Sequence, residues 1–157
     1  MPVLEISAVL FGFYGFASVG VGVMLLFVVR HDEHPVGLGM FHHRPDAAVF
    51  GGGPLPDDLQ RPFAIFRAMH WHWLAGVLVS FGLLQVSVVV FGLLARQAWA
   101  LWALTVADVA MLPYWLSVIG PYRRAGVRLR LLEIPPILWI PWFVVPPATI
   151  LGWLALR

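Results

Sequence analysis

From Ile6 to Val29 the chain carries no charged side chain. No other feature constrains the fold as much, because a helix of about 20 mostly apolar residues crosses the roughly 30 Å hydrocarbon layer of a bilayer. Glu5 stands at the start of this run, and Arg30-His31-Asp32-Glu33-His34-Pro35 ends it. The run has no basic leader and is too long for the core of a signal peptide, so it reads as a retained span.

Three further apolar runs follow, over about residues 68–95, 98–119 and 134–156. Asp57, Asp58 and Pro62 are helix-start signals, so the second helix is expected to begin ahead of its apolar run, at the membrane surface. Composition points the same way. The chain is 61% hydrophobic and only 11% charged, where a soluble domain is roughly 45–50% apolar and about 25% charged. A soluble domain of this length leaves too much of its surface in water to hide that excess. The expected fold is an all-α integral membrane protein, with four transmembrane helices bundled into one domain over residues 1–157. The Arg96-Gln97 link is so short that the second and third helices must form a tight antiparallel hairpin. Pro135, Pro136, Pro141, Pro146 and Pro147 crowd the fourth. An internal proline removes a backbone hydrogen bond and bends a helix, so this one is expected to be kinked.

Arginine sets the orientation. There is no lysine, and Arg30, Arg44, Arg61, Arg67, Arg123, Arg124, Arg128 and Arg130 all fall in or beside the loops at 30–67 and 120–133. Only Arg96 and Arg157 fall on the other side. Basic loops stay in the cytoplasm, so both loops are expected there and both termini outside, in a bacterial plasma (inner) membrane. Arg123, Arg124, Arg128 and Arg130 beside a helix end attract anionic lipid headgroups. The net charge of +2 and the pI of 9.7 therefore report topology, and nucleic acid is not an expected partner.

Cysteine is absent, which excludes disulfides, thiolate metal sites and cysteine nucleophiles. No phosphate-binding glycine loop, nucleophile elbow or His-Glu-x-x-His motif is present. Two constellations remain. Asp108 sits near the middle of the third run, where an ionised carboxylate costs at least about 2.5–3.5 kcal/mol and must be paired, neutralised or turned to a polar cavity. Gln85 is equidistant from the hairpin turn, hence at the same depth, and a Gln85–Asp108 hydrogen bond would satisfy both side chains. Thr105 shares the face of Asp108, and Tyr114 lies close to it. Trp139 and Trp142 stand between the prolines of the fourth helix and can line a pocket for a flat or chain-like apolar molecule. This set suits a lipid-like ligand or a partner membrane subunit in a non-catalytic module. It equally suits a purely structural role in fixing helix register.

The second constellation is histidine-rich. His31, His34 and His70, with Asp32 and Glu33, gather at the cytoplasmic interface and suit a transition metal or a bis-histidine haem in an enzyme or redox subunit. The sequence itself requires no cofactor and names no reaction. Finally, Ala8, Gly12, Gly15, Val19 and Gly22 recur at spacings of four and three. They form a seam for close helix approach, either within the chain or in a homo-oligomer or larger membrane complex.

Overall fold

The computed structural model describes residues 2–28, 57–110, 112–128 and 136–157. The described residues are helical and contain no strand. Helix α1 is Pro2–Val28, α2 is Asp57–Val88, α3 is Ala98–Ala110, α4 is Leu112–Arg124 and α5 is Pro136–Leu156. A π-helical turn, Val89–Leu93, continues α2 to the hairpin. Among the described residues three segments are long and apolar enough to cross a membrane: Val3–Phe27, Ala68–Leu93 and Ile137–Leu156. At 1.5 Å per residue they measure about 38, 39 and 30 Å, matching or exceeding the hydrocarbon layer.

The third apolar run, expected as one helix over 98–119, is described as α3 and α4, with Met111 outside the described residues. The second helix begins at Asp57, with Pro62 inside it. The last helix runs as one element through Pro141, Pro146 and Pro147.

The hairpin closes as the short link requires. Arg96 takes a left-handed conformation at φ 58. Its N–H donates to Leu93 O at 2.9 Å, and the Gln97 N–H reaches back to Gly92 O at 3.0 Å. This is a Schellman cap built on arginine rather than the usual glycine. Gly92 admits the returning chain: a Cβ there would stand 2.6 Å from the Ala100 Cβ. Gly126, at φ 76, caps α4 in the same way, with Val127 N–H bonded to Tyr122 O at 2.9 Å.

Helix α1 is the hub, packing most extensively against α2 and then α5, while α3 packs on α5 and on the π turn. The seam of α1 meets its own chain. A Cβ on Gly22 would stand 2.8 Å from Ala75 O, and one on Gly15 would stand 3.2 Å from Gly82 O. Gly82 in turn lies against the backbone of Gly15 and Val19. As the number rises on one helix it falls on the other, so the two run antiparallel. Gly12 is the exception, since a Cβ there meets nothing within 4 Å.

Buried apolar side chains form two clusters. One gathers Leu4, Ala8, Phe11, Val89, Leu93, Leu101, Leu104 and Ala148. The other gathers Tyr14, Leu25, Ala68, Ala75, Leu78 and Ile137. On α2 the boundary between them falls at Gln85.

Candidate functional site: a polar layer between two apolar clusters

Asp108 lies about 15 Å along α3 from its start at Ala98, with a relative exposure of 1%, and Gln85 is 4% exposed. The hairpin sets both at one depth, and Gln85 Nε2 donates to Asp108 Oδ2 at 3.2 Å. The expectation that this bond would satisfy both side chains is not met. Gln85 Oε1 and Asp108 Oδ1 are buried and have no hydrogen-bond partner among the described residues. A buried polar atom without a partner costs roughly 1–3 kcal/mol, and in lipid no water replaces the missing bond. Two such oxygens stand in this one layer.

The remaining walls come from three helices. Tyr14 of α1 is 2% exposed, and its hydroxyl lies within electrostatic reach of Asp108. That hydroxyl donates to Ile137 O at 3.5 Å, at the long limit for a hydrogen bond. Proline explains why this carbonyl is free. In a regular helix Ile137 O accepts from the N–H four residues on, and that residue is Pro141. The Tyr14 ring meets Phe81 edge-on at 6.2 Å between centroids. Ser18 donates to Tyr14 O at 2.9 Å, and Ser7 donates to Ala148 O at 2.7 Å. Ser7, Tyr14 and Ser18 follow one another at spacings of seven and four, so they share one face of α1.

Thr105 stands one turn before Asp108. Its Oγ1 donates to Leu101 O at 2.8 Å and lies 3.0 Å from Thr149 Oγ1 of α5. The structure thus gathers Asp108, Gln85, Thr105, Tyr14 and Thr149 inside one bundle. Ser7, Tyr14, Ser18 and Thr149 are the members that sequence reading missed. The signal for the first three was the shared helical face, but its meaning depends on which helix covers it.

Other candidates lie elsewhere. Trp142 is 50% exposed and turned away from the bundle, while Trp139 is half-buried against Phe143, 6.2 Å between ring centroids. Tyr114 belongs to α4, and its side chain is outside the described residues. His31, Asp32, Glu33, His34 and Arg130 are also outside them. His70 is exposed and lies beside Phe66 and Trp73. Among the described residues no three His, Asp or Glu side chains gather as metal ligands. An open groove beside His72, Trp73, Gly76, Ser80 and Leu84 runs along α2, apart from Asp108 and Gln85.

Comparisons with protein-family models, with curated proteins and with solved structures each find no match to this chain. Function must therefore be read from the polar layer itself. At the far end of the bundle, Trp102 and Trp153 pack edge to face at 5.6 Å, and Arg157 lies 5.3 Å over the Trp153 ring. Aromatic rings and a cation at helix ends suit a headgroup boundary. Arg123 and Arg124 stand in the last turn of α4, both exposed.

Proposed function

We propose that this chain is a non-catalytic membrane module that binds an amphiphilic, lipid-like molecule by its polar end at the Asp108–Gln85 layer. In this reading the chain crosses a bacterial plasma membrane four times, as one domain. The third crossing runs over about residues 98–119, and the fourth is bent at its prolines. Both termini are outside, and Arg123, Arg124, Arg128 and Arg130 meet anionic headgroups on the cytoplasmic side. The observation that carries the proposal is the pair of partnerless oxygens, Asp108 Oδ1 and Gln85 Oε1.

Burial argues against direct contact of the pair with a partner subunit outside the bundle. At 1% exposure Asp108 presents no surface to a neighbouring helix. The α3–α5 contact, held at the Thr105–Thr149 pair, is the natural entrance. It is lighter than the contacts of α1 with α2 and with α5, and each hydrogen bond between membrane helices contributes only about 0.6 kcal/mol on average.

Native mass spectrometry of protein released gently from its own membrane tests this. The wild-type chain is expected to retain a small-molecule adduct, and Asp108→Leu to lose it. An adduct held equally by both would overturn the proposal.

A further inference from the structure

The end of the bundle where α3 starts and α5 finishes carries a separate constellation of aromatic rings and arginine. Trp102 and Trp153 meet there edge to face, and both are exposed, at 54% and 39%. Arg157 stands one turn beyond Trp153, with its guanidinium carbon over the Trp153 ring. Arg96 is exposed at the same end, in the turn before α3. The apolar segment Ile137–Leu156 matches the hydrocarbon layer in length, so a ring one turn from its end stands at headgroup level.

The arrangement specifies a sign of charge. An exposed aromatic pair at headgroup level could take the choline of a zwitterionic lipid on a ring face. Here the chain has placed its own cation over that ring, and a second cation would meet the Arg157 charge. Placing the guanidinium over the ring engages one side of it and leaves its N–H groups unspent. Among the described residues its one recorded contact is the Trp153 ring. Glu5, in the first turn of α1, is the one described acid at this end, set against two arginines. A planar fork of donors with no acceptor suits a phosphate.

The wall beneath favours a lipid over a free anion. Trp102, Val106 and Val109 are exposed at spacings of four and three, so they share one face of α3. Ile150 and Leu154 are exposed on α5, and the Trp102–Trp153 contact brings the two helices together at their headgroup end. Acyl chains can lie along this wall from a phosphate held at Arg157, whereas free phosphate gains nothing from it.

We propose that this end of the bundle binds the phosphate of an anionic phospholipid, with Arg157 as the donor, Trp153 as the platform that holds it, and the acyl chains along α3 and α5. The site is distinct from the Asp108–Gln85 layer and needs no occupant there.

The test uses the full chain in phosphatidylcholine nanodiscs doped with phosphatidylglycerol that carries a photoreactive headgroup, and maps the crosslinked peptides by mass spectrometry. Labelling is expected at the start of α3 and the end of α5. Unlabelled phosphatidylglycerol should suppress it, and phosphatidylethanolamine, which has the phosphate but no net charge, should not. That comparison on the wild-type chain needs no variant to fold. Arg157→Gln should weaken the apparent affinity about fivefold, the contribution of one arginine at an anionic surface. Trp153→Leu removes no charge and should weaken it too. Labelling near Arg123 and Arg124 should persist in both variants, which reports that the chain is folded and inserted. Asp108→Leu should leave the labelling at this end unchanged, so this site and the polar layer fail separately. Suppression by phosphatidylethanolamine or by inorganic phosphate as strong as that by phosphatidylglycerol would overturn the assignment. So would undiminished affinity in either variant, or no labelling at this end.

Discussion

Two faces of α1 are held by different physics. Toward α2 the contact is dry and close, with Gly15 and Gly22 set against Gly82 and Ala75 and no room for a methyl group. Toward α5 the same helix offers Ser7 and Tyr14, whose hydroxyls donate to the carbonyls of Ala148 and Ile137, while Ser18 bonds back to Tyr14 O within α1. The first face is saturated: backbone meets backbone, and separation would forfeit dispersion contacts that lipid cannot match at that density. The second leaves polar capacity unused, in Gln85 Oε1, Asp108 Oδ1 and the long Tyr14 bond. A close-packed pair of helices thus carries one wall of the polar layer.

The sharpest way to break this contrast is to overfill the dry face. Gly82→Leu should destabilise the bundle by about 3 kcal/mol or more, since overpacking costs about 1–3 kcal/mol even where side chains rather than backbone must yield. Thermal unfolding in detergent micelles reads this directly, and a wild-type midpoint would show that α1 and α2 do not touch there.

The polar face should respond differently, because its cost lies in stranded partners. Asp108→Leu leaves Gln85 buried alone and should cost about 1–3 kcal/mol. The double variant Asp108→Leu/Gln85→Leu should recover much of that loss, since replacing both members of a buried polar pair is often neutral or better. If the two changes simply add, the pair is not coupled in the folded protein. Smaller again, Thr149→Val should cost about 0.6 kcal/mol, the typical value for one interhelical hydrogen bond in a membrane. It should also speed exchange of any bound molecule if the α3–α5 contact is the entrance. An unchanged exchange rate places the entrance elsewhere. Gly12→Ala is expected to change stability by no more than about 0.5 kcal/mol, because its added methyl meets nothing within 4 Å. A large effect there would extend the dry face beyond Gly15.

Some of this was legible in the sequence for a specific reason. Gln85 and Asp108 could be matched because a turn as short as Arg96-Gln97 fixes the register of two helices by counting. The seam could be found because its spacing is local. Its partner could not, since nothing in residues 8–22 says that Ala75 and Gly82 lie opposite. The same non-locality hid Tyr14. A lone tyrosine in an apolar helix becomes informative only when Pro141, far along the chain, is known to free the carbonyl it meets. The incomplete satisfaction of the Gln85–Asp108 pair needed atomic positions, because residue types alone permit both bonds to close.

The most direct measurement is a high-resolution density map of the protein purified in lipid from its own membrane. Non-protein density larger than a water molecule, within hydrogen-bond distance of both Asp108 Oδ1 and Gln85 Oε1, is the result predicted here. A map in which the two side chains close both bonds on each other, with nothing between them, would contradict it and leave the polar layer as a fastener of the hairpin.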